Sequence, residues 1–221
     1  MRTVVVTGGA KGIGKAVAER FADDRVEAGG RDMLDVTDEE AVAAFFERIG
    51  PVDVLVNNAG VAEGGPLART TLDSWRHHFE VNATGAFLCT RAVLPGMIER
   101  GDGRIVTVAS TAGLRGARYT TAYTAAKHAA VGLMRATAAE VAGTGVTANA
   151  VCPGWVRTAM MERAVERITA TTDRDEEHAE AALVAQMPLG RALEPEEVAE
   201  AVWFLASPDA AAINGQALVL G

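Results

Sequence analysis

Short runs of β-branched and aliphatic residues alternate along this chain with longer Ala-rich stretches whose apolar positions recur every three or four residues. Residues 3–7, 52–57, 104–109, 147–151 and 217–220 read as strands, and residues 13–22, 72–100, 122–142 and 195–206 as helices. The strand runs hold too few polar positions to keep one face in water, so they belong to a parallel sheet covered by helices on both sides. The pattern predicts a Rossmann-like, doubly wound α/β fold in one domain, residues 1–221.

One interval breaks the rhythm. Residues 25–36 could hold two short strands but leave nothing between them, whereas adjacent parallel strands need a crossover of about a dozen residues. The segment is expected to supply a single strand, bent at Gly29-Gly30, so that one strand and one helix of the usual first half are missing. After it, Thr37-Asp38-Glu39-Glu40 has the form of a capping box that opens a helix running to Ile49. Residues 158–186 read as an insertion that forms a lid over the substrate pocket, with a polar stretch at 166–180. Within it, Met160, Met161, Ala164, Val165 and Ile168 recur at helical spacing and suit either a substrate-facing surface or core and interface contacts.

At 221 residues and 49% hydrophobic, the chain can bury one substantial core. Its net charge of −8 leaves little basic surface, which counts against nucleic acid and membrane as partners and points to small molecules or proteins. Cys89 and Cys152 have no second Cys or His at ligand spacing, so neither a disulfide nor a metal site is expected. The apolar run at 3–7 is too brief for a signal segment or a bilayer span, and a cytoplasmic location is expected. His77, His78, His128 and His178 lack partners at suitable spacing and read as surface or interface residues. Trp75 and Trp203 read as packing residues.

Candidate chemistry begins directly after the first strand, at Thr7-Gly8-Gly9-Ala10-Lys11-Gly12-Ile13-Gly14. Glycine serves where backbone must turn tightly or approach a pyrophosphate, and the helix that opens here offers free N–H groups to an anion. Further on, Tyr123 and Lys127 stand four apart in an Ala-rich segment and so share one helix face. An ammonium beside a phenol is expected to lower its pKa toward neutrality, making Tyr123 a general acid toward a carbonyl or a base toward an alcohol. Ser110, at a strand end, can hydrogen-bond the same oxygen and stabilise its developing charge.

The TGxxxGxG spacing resembles that of the classical short-chain dehydrogenases/reductases. Val56-Asn57-Asn58-Ala59-Gly60, Phe79-Glu80-Val81-Asn82, Val108-Ala109-Ser110, Tyr123-Thr124-Ala125-Ala126-Lys127 and Cys152-Pro153-Gly154-Trp155-Val156-Arg157-Thr158 follow in that family's order, from Arg2 to Gly221. The resemblance implies a catalytic set of Asn82, Ser110, Tyr123 and Lys127. In it Asn82 holds a water that passes protons to Lys127, and Lys127 also binds the nicotinamide ribose. It implies further that Gly8, Lys11, Gly12, Ile13, Gly14, Arg31, Asp35, Val36, Asn58, Ala59, Gly60, Tyr123, Lys127, Pro153, Gly154, Val156 and Thr158 contact the dinucleotide. Lys11 and Arg31 stand where NADP-preferring relatives are basic, whereas Asp35 would select NAD if residues 25–36 formed one long strand. NADP(H) is favoured over NAD(H).

Ser110-Thr111-Ala112-Gly113, Ala126-Lys127-His128, Val151-Cys152-Pro153-Gly154 and Pro188-Leu189-Gly190-Arg191 resemble 3-oxoacyl reductases, including those acting on polyketide intermediates. The expected reaction is therefore reduction of a small-molecule ketone to a secondary alcohol. The alternatives are a secondary-alcohol dehydrogenase working oxidatively and a non-catalytic dinucleotide-binding protein on the same fold. The helical stretches 72–100 and 123–142 carry more small and apolar residues than a solvated helix needs, and the resemblance implies their burial in a homodimer or homotetramer.

Overall fold

Val4, Val5 and Val6 are wholly buried, and a strand without a wet face must lie inside a sheet. In the computed structural model, which describes residues 1–185 and 187–221, β1 (Thr3–Thr7) runs between β2 (Arg25–Gly29) and β3 (Val54–Asn57). The sheet continues through β4 (Gly103–Val108), β5 (Val146–Pro153) and β6 (Ala217–Leu220) in the order β2-β1-β3-β4-β5-β6, every pair parallel. Val5 stands opposite Glu27 on one side and Leu55 on the other. The strand order reverses at β1, and such a switch point opens a crevice at the carboxyl ends of the strands.

Alternate side chains of each strand point to opposite faces, giving two cores. On one face Val4, Val6, Val54 and Val56 meet Val17 and Phe21 of α1 (Gly12–Arg20) and the Val198, Val202 and Leu205 side of the last helix. On the other, Val5, Leu55 and Ile105 meet α2 (Glu39–Ile49), α4 (Gly85–Arg100) and α5 (Thr121–Glu140) through Phe45, Leu88, Met97 and Met134. The remaining helices are α3 (Leu72–Phe79), α6 (Ala159–Thr171), α7 (Glu176–Val184) and α8 (Pro195–Leu205). Among the described residues no helix is long and apolar enough to cross a membrane.

The shortened first half is as expected in strand count but not in extent. The segment does hold one strand; that strand stops at Gly29 instead of running to Val36. Met33 folds back over Gly29, where a Cβ would lie 2.7 Å from that of Met33, and the amide of Leu34 donates to the Gly30 carbonyl at 3.1 Å. The turn redirects the chain from the sheet edge toward α2, with Val36 buried against Gly85 of α4. The helix cap is also displaced by one residue. Thr37 commits its hydroxyl to Asp35 at 2.7 Å, and Asp38 caps α2 by accepting from the Ala41 amide at 3.0 Å. β2 remains an edge strand, guarded by an Arg25–Glu27 ion pair at 3.1 Å.

Two further expectations change. The single helix predicted over 72–100 is interrupted by a π turn at Glu80–Thr84, which separates α3 from α4. The segment expected as a lid contains α6 and α7; its last residue, Gln186, lies outside the described residues. Met161 is buried there, while Met160, Ala164, Val165 and Ile168 are half-buried.

Leu55, wholly buried on the central β3, should be the costlier of two leucines to truncate. Leu55→Ala is expected to lower unfolding free energy by about 2–5 kcal/mol in urea titration. Leu67→Ala, at a side chain 66% exposed, should change it by less than about 0.5 kcal/mol.

Candidate active site

The ends of β1 and β3 are stitched together by two side chains. The Thr7 hydroxyl accepts from the amides of Asn58 and Ala59, each at 3.0 Å. Asn58 Nδ2 donates in return to the carbonyls of Thr7 and Gly8 at 3.0 and 3.1 Å. Asn58 thus holds the glycine loop from behind. Gly14 must be glycine because a Cβ there would lie 2.4 Å from the Gly8 carbonyl oxygen and 2.5 Å from Asn58 Nδ2. Lys11, the N-cap of α1, places no side chain on the first-turn amides, and no acid occupies that turn. Those N–H groups and the positive end of the helix dipole therefore face the crevice.

Other predicted cofactor residues gather around this loop. A Cβ on Gly12 would stand 3.2 Å from the Thr158 methyl, which brings the segment after β5 up to the glycines. Pro153 ends β5, the Gly154 amide donates to the Leu220 carbonyl at 2.9 Å, and buried Val156 bridges to Leu193. Ile13 packs against the apolar core beneath α1, and Val36 belongs to the opposite core. Asp35 is not free at a strand end. One of its oxygens accepts from the amide and hydroxyl of Thr37, the other pairs with Arg31 at 2.7 Å. The Thr37 hydroxyl foremost holds the Asp35 carboxyl below its usual pKa; burial opposes it, and the Thr37 amide and Arg31 add to the lowering. The Arg31 side chain, 79% exposed, is left pointing outward on this support.

Ser110, Tyr123 and Lys127 converge at the carboxyl end of β4. Ser110 is extended and accepts the Ala112 amide on its Oγ at 3.1 Å, so its own proton stays available. Lys127 is buried and donates to the Val108 carbonyl at 2.9 Å; its Nζ lies 5.9 Å from the centre of the Tyr123 ring. Burial lowers the Lys127 pKa to about 8, slightly opposed by the Cys152 thiol. The expected lowering of the Tyr123 pKa is reversed. Burial penalises the phenolate and raises the value, and hydrogen bonding with Ser110 offsets only part of that. At neutral pH the pair is therefore a neutral phenol and an ammonium.

Asn82 lies in the π turn with its amide committed to protein groups. Its Oδ1 accepts from the Val61 amide at 3.2 Å, and its Nδ2 donates to the carbonyls of Val61 and His78, each at 3.0 Å. Gly60 sits between Asn82 and Lys127: a Cβ there would stand 2.9 Å from Asn82 Oδ1 and 3.6 Å from Lys127 Nζ.

His78, expected at the surface or at an interface, is instead interior. His78 is wholly buried, with its ring edge-on to Tyr123 at 6.5 Å between centroids. Spacing could have flagged it, since positions 78 and 82 share a helix face. His77, His128 and His178 are exposed, and Trp75 and Trp203 pack against Phe79 and Arg20.

The chain is similar to known proteins along nearly its whole length. A family model described as enoyl-(acyl carrier protein) reductase matches residues 26–220. A provisionally named ketoacyl reductase of Streptomyces coelicolor is 44% identical over 223 residues, covering 99% of this chain and 85% of the relative. The 3-oxoacyl-[acyl-carrier-protein] reductase FabG of Vibrio cholerae is 37% identical over 241 residues, covering 98% and 94%. A crystal structure of an actinorhodin polyketide ketoreductase variant with NADPH superposes with a TM-score of 0.90 at 37% identity, covering 99% of this chain and 95% of that one. The chain belongs to the short-chain dehydrogenase/reductase family.

Proposed function

We propose that this protein reduces a ketone to a secondary alcohol with NADPH, and that the ketone is a 3-oxoacyl or polyketide-like compound. The observation that carries the reading is the convergence of the Ser110 hydroxyl, the Tyr123 phenol and the buried Lys127 ammonium beside the uncapped start of α1. The names of the relatives, ketoacyl and 3-oxoacyl reductases, support the substrate class.

The dinucleotide supplies the hydride. Gly8, Gly12, Ile13 and Gly14 would hold its pyrophosphate on the first-turn amides of α1, with Lys11 adding positive charge. Asn58, Ala59, Gly60 and Val36 would border its adenosine half. Pro153, Gly154, Val156 and Thr158 would border the nicotinamide half, and Lys127 would also reach its ribose. Arg31, braced by Asp35, would meet the 2′-phosphate of NADP. Because both Asp35 oxygens are already engaged, that carboxylate is not free to favour the 2′-hydroxyl of NAD.

In the reduction Ser110 donates to the substrate oxygen and holds it near the phenol. Tyr123, protonated at neutral pH, gives its proton to the developing alkoxide. Lys127 stabilises the phenolate that remains, and a water beside Asn82 and Gly60 would return a proton through Lys127. Helices α6 and α7 would serve as the lid: Arg167 of α6 donates to the Gly64 carbonyl at 3.0 Å, and Arg157 pairs with Glu180 of α7 at 2.8 Å. Exposed apolar side chains on α4 (Phe87, Ile98) and on α8 and β6 (Phe204, Val219) support assembly into a homodimer or homotetramer. Two buried free thiols, Cys89 and Cys152, suit the reducing cytoplasm.

Fluorescence titration should show NADPH binding more tightly than NADH. Arg31→Ala should weaken NADPH by about tenfold, the size of a lost charge-assisted hydrogen bond, and leave NADH unchanged. On a panel of 3-oxoacyl thioesters, cyclic ketones and simple ketones, Tyr123→Phe should cut kcat by roughly 100-fold or more while NADPH still binds; retained turnover would sink the assigned proton donor. The pH profile follows from Lys127. Below its pKa of about 8 the ammonium is present, so kcat/KM for reduction should be level there and decline as pH rises past it. An unchanged rate at higher pH would show that the charge is not required.

A further inference from the structure

His78 is wholly buried. Both ring nitrogens nevertheless have partners. Nδ1 lies 2.7 Å from the Ser74 carbonyl oxygen, and Nε2 accepts from the Glu63 amide at 2.9 Å. These partners admit one protonation state, with the proton on Nδ1 and the Nε2 lone pair directed at the amide. An imidazolium would have a second N–H where the Glu63 N–H already points.

The ring joins three parts of the site. Its Nε2 holds the loop after β3 at Glu63, two residues beyond Val61, which Asn82 holds. Its own carbonyl accepts from Asn82 Nδ2 at 3.0 Å. Its edge abuts Tyr123, at an interplanar angle of 75°. The loop is tied onward to α5 and the lid, because the Gly65 amide donates to the Tyr119 carbonyl at 2.6 Å and the Gly64 carbonyl accepts from Arg167.

We infer that His78 is a positioning residue for the reduction. Held neutral in one tautomer, it fixes the 61–65 loop and the tilt of the Tyr123 ring together, so that the phenol meets a substrate oxygen in a pocket of constant shape. The inference rests on the reductase reading above. Neither Ser74 nor Glu63 contributes its side chain to the two ring bonds; the selection is for an imidazole between two backbone groups.

Two substitutions separate ring from acceptor. His78→Leu keeps the volume apolar and leaves the Glu63 amide without its acceptor, whereas His78→Gln keeps an acceptor of similar reach. His78→Leu should lower kcat roughly 10- to 100-fold, the scale of a small misplacement of a proton donor, with NADPH Kd unchanged. His78→Gln should recover most of the loss. A His78→Leu enzyme with wild-type kcat, or a Gln variant no better than Leu, would overturn the proposal. If the Leu variant does not fold, 15N NMR of histidine-labelled wild-type protein decides. One of its four imidazoles should be locked as the Nδ1–H tautomer at neutral pH, and a protonated Nε2 at position 78 overturns the inference. Wild-type enzyme that binds NADPH but turns over no ketone in the panel would defeat the reductase reading and this inference together. Active wild type with an unimpaired Leu variant would defeat this inference alone.

Discussion

The buried ammonium of Lys127 is anchored to the Val108 carbonyl at 2.9 Å, and the surrounding backbone is arranged to permit that anchor. A charge withdrawn from water must find partners or lose its proton, and here the balance brings its pKa down to about 8 without abolishing the charge at neutrality. For the side chain to reach the end of β4, α5 must pass close over the turn that follows it. That approach leaves no room at Gly113, where a Cβ would stand 2.9 Å from the Lys127 carbonyl oxygen. On the other side Gly60 of the loop after β3 lies beside the ammonium head, where a Cβ would stand 3.6 Å from Nζ. Tyr123, one turn earlier on α5, is carried to the same place by the same helix.

A parallel sheet makes this convergence possible by ending all its strands on one edge. Thr7, Asn58, Ser110 and Pro153 follow or terminate four different strands, yet the sheet sets them side by side. The clamp between Thr7 and Asn58 shows how closely the loops are then joined, since each side chain satisfies backbone groups of the other's segment. The loss of a strand and helix from the first half leaves this edge intact, because β1 still has β2 on one side and β3 on the other. What changes is the route from β2 to α2. A short turn replaces the longer crossover, and it brings Arg31, Asp35 and Thr37 into one hydrogen-bonded cluster. Arg31 is thereby held outward by Asp35.

The wall facing Tyr123 is built differently, by side chains that reach from a helix to a loop. Asn82 and His78 hold Val61 and Glu63 respectively, and the π turn at Glu80–Thr84 sets the angle between them and α4. π turns often accompany functional sites because the widened ring of backbone redirects a side chain that a regular helix would aim elsewhere. This wall meets α6 through Arg167 and the start of α5 through Tyr119, whose φ of +62° places a non-glycine residue in the left-handed region. Such a conformation persists only where neighbours hold it, and the Gly65 amide on its carbonyl is one such neighbour.

Much of this was legible in the chain itself. Uniformly apolar runs separated by amphipathic stretches prescribe a parallel sheet under helices, the glycines after Thr7 mark a tight approach of backbone, and the four-residue interval from Tyr123 to Lys127 places both on one helix face. Even the missing strand followed from residue count, because chain length limits what a crossover can span. Only the tertiary structure decided where β2 stops, that α3 and α4 are separated by a π turn, that His78 is interior, and that burial raises the Tyr123 pKa instead of a nearby charge lowering it. The division has a physical cause. Periodicity and spacing record the local geometry of a segment, whereas depth of burial and the identity of hydrogen-bond partners depend on what distant segments bring within a few ångströms.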